Sequence, residues 1–413
     1  MERSNDLVRL CFTGMGCVTP LGNTVESYWS RLLQGACGVG QITRFDASKL
    51  PVQIAAEVKD FVAEDFLTHA EIRSSSLFMQ FALVAAREAL RQHTFSDPSR
   101  VGIVFATAMG GISPISDTAK LYLQSKTKRV SPHFVPAVIS NMAAAHVAIH
   151  YGFQGPALTV QTACASGNDA ILTAALLLKA HICDAVLILG GESIVCDVAI
   201  SSLAQAKALS RLNSDPIHAS RPFDAKRDGF VLGEGGGALV LERLDSVRAR
   251  GGEILAELVG YANSIDTYHV TAPEPNGLGA ASCMRKALSM ANITPQAIGY
   301  INAHGTATLL GDVAETRAVH TVFGQTPPPI SSTKGATGHL MGEGGITEVI
   351  TCIQSIRCGV LPQTINYEQA DPECDLDYVP NQPREAHIDF AMSNAFGFGG
   401  QNSTVIVQRF FEN

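Results

Sequence analysis

Apolar residues along this chain follow two rhythms: short continuous runs, and longer stretches in which apolar positions recur every three or four residues. The first is the mark of a buried strand and the second of a helix with one face on a core. The runs Val101–Phe105, Ala157–Val160, Ala185–Leu189, Ala238–Leu241, Ile254–Tyr261, Ile298–Asn302 and Ser403–Gln408 predict strands. Ser76–Gln92, Asn168–Ala180 and Ile346–Arg357 predict helices. Alternation of the two along the chain is the pattern of an α/β protein. Ala157–Val160 is expected to be buried, and Gly14-Met15-Gly16 to form a tight turn. The most apolar stretch, Ala170–Gly190, is broken by Lys179, His181 and Asp184. It therefore predicts a buried helix followed by a strand, with no membrane insertion.

The two halves echo each other in order. Arg9–Thr19 opens the first much as Ile254–Ile265 opens the second, and Pro156–Gly167 corresponds to Pro329–His339. Gly233–Glu242 and Gly397–Gln408 both run from glycines into a closing strand. A duplicated unit accounts for this order, and chance similarity of two α/β halves is the alternative. The join falls near Arg250–Glu253, giving halves 1–252 and 253–413.

Composition narrows the picture. A chain of 413 residues is long enough for a large core or two fused units. Few aromatics and many Gly and Ala suit helices packed closely on buried strands. A formal net charge of −8 argues against a general nucleic-acid binder. The ten cysteines are scattered without CxxC pairs, so no zinc or iron–sulfur spacing appears and no metal is expected. Met1–Arg9 lacks a basic segment followed by an apolar one, so no export signal is expected. With the scattered cysteines this points to a cytoplasmic protein.

Four segments carry candidate chemistry. Cys164 lies in Val160-Gln161-Thr162-Ala163-Cys164-Ala165-Ser166-Gly167, between a predicted strand and a predicted helix. A thiol beside a helix N-terminus loses its proton more easily and can act as a nucleophile. A structural cysteine is the alternative. His304, in Asn302-Ala303-His304-Gly305-Thr306-Ala307-Thr308, ends a predicted strand and is placed to face a pocket, or is an ordinary loop histidine. Ser332–Gly342 holds Lys334 and His339 among glycines that allow close approach of a ligand. It lacks the GxxxxGK[ST] spacing of a phosphate loop, and GxGxxG is missing near the N-terminus. Asn394–Asn402 flanks Phe398 with glycines, which suits either a swinging lid or a glycine-rich turn. One cysteine with two histidines suits carbon–carbon bond formation from malonyl thioesters. The thiolate holds an acyl group, and two neutral imidazoles stabilise the enolate formed as carbon dioxide leaves. A Cys-His protease needs only one histidine.

Together these segments resemble the β-ketoacyl-acyl-carrier-protein synthases of the thiolase superfamily. The likeness is to the elongating ketoacyl synthase II group and to the related ketosynthase subunits of type II polyketide synthases. Thr13-Gly14-Met15-Gly16, Arg221-Pro222-Phe223-Asp224, Arg227-Asp228-Gly229-Phe230 and Gly233-Glu234-Gly235 also fit, so the resemblance spans essentially the whole chain. It implies an α/β thiolase fold, five-layered αβαβα from two duplicated halves. The implied reaction is decarboxylative condensation of an enzyme-bound acyl group with malonyl-acyl carrier protein, in fatty acid elongation. The ketosynthase subunit of a type II polyketide or polyene synthase is the alternative.

The resemblance also implies site roles. Cys164 is the acylated nucleophile, His304 and His339 complete the triad, Lys334 holds their electrostatic network, and Glu348 lies behind His339. The N–H groups of Cys164 and Phe398 form the oxyanion hole, and Phe398 gates the pocket. Met109, Thr306, Thr308, Phe396, Gly397 and Gly399 contact substrate; Met109 either sets the depth of the acyl pocket or simply fills core. Arg73, Lys128, Arg129 and Arg211 are the carrier-docking candidates, or belong to a solvated face. The docking helix, Glu71–Ser76, carries only one basic residue, which predicts altered pairing with an acidic carrier. Glu343-Gly344-Gly345 also departs from the pattern, which has small apolar residues there. Implied partners are acyl carrier protein, malonyl and acyl thioesters, and a second subunit, identical or chain-length-factor-like. No cofactor is implied, because the phosphopantetheine arrives on the carrier. A degradative thiolase would need a second cysteine near Phe396–Asn402, and a starter synthase a Cys-His-Asn set.

Overall fold

The structure is a computed structural model that describes residues 8–412, so most of the Met1–Arg9 segment lies outside the described residues. Ten strands build its main sheet. The first five are β1 (Leu10–Val18), β2 (Val101–Ala106), β3 (Ala157–Val160), β4 (Ala185–Glu192) and β5 (Gly235–Arg243). The second five are β6 (Ala256–Ile265), β7 (Tyr300–Asn302), β8 (Ile330–Ser331), β9 (Phe390–Gly397) and β10 (Gln401–Gln408). Read outward from the middle, the order is β1-β5-β4-β2-β3 on one side and β6-β10-β9-β7-β8 on the other. In each block the first two pairings are antiparallel and the last two parallel. β1 and β6 join the blocks through an antiparallel pairing from Leu10↔Leu258 to Phe12↔Ala256.

Helices fill the layers between and outside the blocks. The six that matter for the site are α1 (Leu77–Ala89), α2 (Met142–Tyr151), α3 (Ser166–Lys179), α4 (Leu278–Ala291), α5 (Leu309–Phe323) and α6 (Gly344–Cys358). α3 and α6 touch strands of both blocks and form the central layer, whereas α1 and α2 cover one outer face and α4 and α5 the other. The result is five layers, αβαβα. The central position explains composition: α6 buries Ile346, Val349, Ile350, Ile353 and Ile356 together with Thr347, Thr351 and Ser355. A helix that is apolar nearly all round is stable only when surrounded by protein. Among the described residues no helix is long and apolar enough to cross a membrane.

Two expectations are corrected. Gly14-Met15-Gly16 is not a turn but the middle of β1. A Cβ on Gly16 would lie 2.0 Å from Ala85 O of α1, and one on Gly14 would lie 2.2 Å from Ala89 O, so these glycines permit close helix–strand packing. Ala157–Val160 is a strand but not a buried one: Ala157 and Leu158 are exposed, Thr159 and Val160 half-buried. β3 pairs with β2 on one side only, and its outer edge is free among the described residues.

The topology sets up the site. The turn from edge strand β3 into α3 holds Cys164, and the equivalent segment from β8 to α6 holds His339. His304 follows β7, and Phe398 lies between β9 and β10. Four segments remote in sequence thus meet at one end of the two blocks.

Candidate active site

Cys164 sits in a single tight turn, Ala163–Ala165, immediately before α3. Ala163 takes φ 51°, a left-handed conformation that costs a non-glycine residue energy and that the surroundings must enforce. Ser166 does much of this: its hydroxyl donates to Ala163 O at 2.6 Å and accepts from the Thr162 N–H at 2.8 Å. The Phe396–Gly400 loop presses on the same turn. A Cβ on Gly397 would come within 3.0 Å of Cys164 N and of Thr162 O.

The thiol does not behave as the helix N-terminus alone predicts. Burial pushes Cys164 up to about 12, while the Lys334 charge and a main-chain hydrogen bond from Phe398 pull the other way. Desolvation outweighs both, so the resting thiol is protonated.

Both imidazoles are held well below the usual histidine range, by burial first and by the Lys334 charge second; His339 also lowers His304. Both rings are therefore neutral. The Met341 N–H donates to His339 Nδ1 at 3.3 Å, so the ring carries its proton on Nε2, which is buried without a partner. The backbone of His339 is clamped on both sides, donating to Val231 O at 2.8 Å and accepting from Gly233 N at 2.9 Å. The rings of His304 and His339 meet edge to face, with centroids 5.4 Å apart. Phe230 stands edge-on to His339 at 5.3 Å.

Cys164, His304, His339, Thr306, Thr308, Phe396, Gly397 and Phe398 line one cavity of about 410 Å³. Lys334 and Glu348 do not line it; they form a buried ion pair behind the histidines. Burial raises the Glu348 carboxyl, and the Lys334 ammonium opposes that rise. Gly399 is exposed, and its N–H donates to Val270 O at 2.6 Å. Met109 stays outside the cavity and 39% exposed, its N–H donating to Glu192 Oε1 at 3.3 Å. Arg73, Lys128, Arg129 and Arg211 are all exposed, and none lines the cavity. Arg211 comes nearest, its N–H donating to Asp228, a residue of the mouth, at 3.1 Å. Lys128 is occupied locally, donating to Tyr122 O at 2.8 Å.

Several working residues were not foreseen. Glu315 accepts from the N–H groups of His304 and Gly305 at 2.9 and 2.7 Å and fixes the His304 loop. Burial pushes its carboxyl up to about 7. Asp312, pushed up to about 6 by burial, accepts from the Ala307 N–H at 3.1 Å. Two acids at i and i+3 in the first turns of α5, just after the His304 segment, were the available sequence signal. Glu192 accepts from Ala108 N at 2.6 Å and from Gly342 N at 3.2 Å, tying the Met109 loop to the His339 turn. Asp266 latches the Phe398 loop, accepting from Asn402 Nδ2 at 2.7 Å while its own N–H donates to Gly400 O at 2.9 Å.

Comparison with known proteins agrees with this geometry. Residues 9–246 match the family described as "Beta-ketoacyl synthase, N-terminal domain", and residues 255–368 its C-terminal domain. The chain is 43% identical to a 3-oxoacyl-[acyl-carrier-protein] synthase 2 of Synechocystis sp. (strain ATCC 27184 / PCC 6803 / Kazusa), over 97% of this chain and 98% of that one. Among solved structures it superposes on the ishigamide ketosynthase/chain length factor with a TM-score of 0.91 and 32% identity, covering 98% of this chain and 100% of the other. A type II polyketide ketosynthase in complex with its acyl-carrier protein matches with a TM-score of 0.89 and 29% identity, over the same shares of each chain.

Proposed function

The chain belongs to the β-ketoacyl synthase family, and we propose that it extends acyl chains by two carbons, condensing an acyl group held on Cys164 with malonyl-acyl carrier protein to give 3-oxoacyl-acyl carrier protein. The observation that carries this reading is the pair of neutral imidazoles facing the cavity beside Cys164, with the His339 Nε2–H buried and unpartnered. An N–H in that position can donate to the oxygen of a thioester entering the cavity.

In the first half-reaction Cys164 Sγ attacks the acyl thioester carbonyl. The C–S bond to the carrier breaks, and the proton from Sγ ends on the departing carrier thiol. The N–H groups of Cys164 and Phe398 receive the developing oxyanion. In the second, the malonyl thioester oxygen accepts hydrogen bonds from His304 and His339. The carboxylate leaves as carbon dioxide, and the electron pair becomes an enolate that the same donors stabilise. The enolate carbon attacks the acyl-Cys164 carbonyl and expels Cys164 Sγ as the thiolate, which takes a proton from solvent to return to the resting thiol. Lys334 keeps both rings neutral donors, and Thr306 and Thr308, whose hydroxyls lie 3.1 Å apart, line the path of the pantetheine arm. The phosphopantetheine arrives on the carrier and the enzyme needs no cofactor of its own.

Fatty acid elongation is the first reading of the pathway, supported by the name of the 43% identical relative. We place the reaction in the cytoplasm, with acyl carrier protein as partner. A second subunit has a place to bind: the outer edge of β3 leaves main-chain groups unpaired, Leu158 is exposed there, and α2 packed beside it exposes Ile149. An identical copy is our reading of that subunit. A chain-length-factor-like partner, and with it type II polyketide synthesis, is the alternative that the ishigamide relative favours.

The test is to follow intact mass and product with acyl-carrier thioesters and malonyl-carrier protein. An adduct on Cys164 followed by 3-oxoacyl product supports the reading. Cys164→Ala is expected to abolish the adduct and condensation while malonyl decarboxylation persists. Condensation that appears only after a partner subunit is added selects the polyketide alternative, and absence of any adduct would sink the enzymatic reading.

A further inference from the structure

Glu343 is fully buried at the start of α6, between His339 and Glu348 in sequence. Its carboxyl fills a hole made by two glycines. Gly190 of β4 and Gly237 of β5 are register partners. A Cβ on Gly237 would lie 2.3 Å from Glu343 Oε1, and one on Gly190 would lie 2.8 Å from its Cγ. Oε1 accepts a hydrogen bond from Thr347 Oγ1, whereas Oε2 has no partner among the described residues. The titratable and charged groups that face it are Cys17 from β1, Glu192 from β4 and Glu348 of α6 itself, the last paired with Lys334; β5 brings only glycine. Among the described residues no cation touches it directly, and two of its neighbours are acids. A bare carboxylate in such a hole is far costlier than a neutral acid. Burial, reinforced by Glu348 and Glu192, pushes the Glu343 carboxyl up to about 8 against the Thr347 hydrogen bond.

The same carboxyl anchors a turn that the proposed chemistry needs. From His339 onward, Met341 N–H holds the imidazole, Gly342 N–H is held by Glu192 at 3.2 Å, and Glu343 N–H returns to Leu340 O at 3.2 Å. The side chain of Glu343 seats the end of this turn against β4 and β5. We propose that Glu343 is a positioning residue whose neutral carboxyl seats the His339–Gly342 turn and whose ionisation unseats it, so that His339-dependent decarboxylation falls off in alkaline solution. The inference rests on the decarboxylating role given to His339 above.

The experiment compares the full-length protein with Glu343→Gln, which preserves shape and the Thr347 contact but cannot ionise. Malonyl-carrier decarboxylation is followed across pH, and pH-difference infrared spectroscopy reads the protonated-carboxyl band directly. The parent is expected to lose rate by about tenfold per pH unit above the Glu343 titration, while Glu343→Gln stays within about twofold of its neutral-pH rate. Glu343→Ala, which empties the seat, is expected to be slow at every pH. The infrared band that disappears in the parent near that pH is expected to be missing from Glu343→Gln. Superimposable pH profiles, or infrared differences that Glu343→Gln leaves unchanged, would overturn the proposal. Absence of decarboxylation at every pH would instead refute the role given to His339, and the infrared comparison would still decide the state of Glu343.

Discussion

Lys334 and Glu348 offer the sharpest test of how the site is held. Their side chains are 3% and 5% exposed and in direct contact. Lys334→Met leaves the Glu348 carboxyl buried without its cation, and Glu348→Gln leaves the ammonium without its anion. Breaking a buried pair from one side costs about 3–5 kcal/mol, because the remaining charge is desolvated and uncompensated. With roughly 2.1 cal/mol/K of unfolding entropy per residue, that loss lowers the midpoint by about 3–6 °C for a chain of this length. The double variant Lys334→Met/Glu348→Gln buries no charge and is expected to be no less stable than either single variant, so the two single losses fall short of additivity by about 3–5 kcal/mol. The assay is denaturant unfolding of the four proteins at one fixed concentration, with decarboxylation rates across pH beside it. Lys334→Met is also expected to raise both histidines, since the Lys334 charge helps hold them down. The acid limb of decarboxylation should therefore move to higher pH. Single losses that add to within about 0.5 kcal/mol would refute the coupled pair. An unmoved acid limb would reduce Lys334 to a structural role.

Three further outcomes are expected. His339 stays neutral when folded but takes a proton near 6.5 when unfolded, so its contribution to stability is present above about pH 6.5 and is lost progressively as pH falls from there toward the lowered folded value. The drop in denaturant midpoint between pH 7 and pH 5 should be smaller in His339→Gln than in the parent, and an equal drop would contradict the assignment. Leu158→Lys puts a charge on the exposed edge of β3 and should shift the assembly toward single subunits in native mass spectrometry, with little change in melting of the subunit itself. Gly397→Val pushes a branched side chain against the Cys164 turn, where even a Cβ meets atoms at 3.0 Å, and should slow acylation of Cys164 more than decarboxylation.

The parts of this protein that live in local windows can be read from the order of residues alone. Alternating runs predicted the strands and helices, and the Cys164, His304, Lys334–His339 and Phe398 segments were each legible as a strand end, turn or helix start. These signals are short-range because a turn's chemistry depends on its own neighbours. What needed the tertiary structure is whatever depends on the far side of a contact. Gly14 and Gly16 looked like turn residues, yet they serve the approach of α1, a helix dozens of residues away. Ala157–Val160 has a core-like composition but no layer over its outer edge. The Cys164 thiol sits at a helix start that favours the thiolate, and burial from surrounding segments reverses the outcome. Glu343 is one acid in a glycine-rich stretch until β4 and β5 close around it. Gly190 and Gly237 are both more than a hundred residues distant in sequence. Desolvation and close packing are properties of what the whole chain brings together, and no local window contains them.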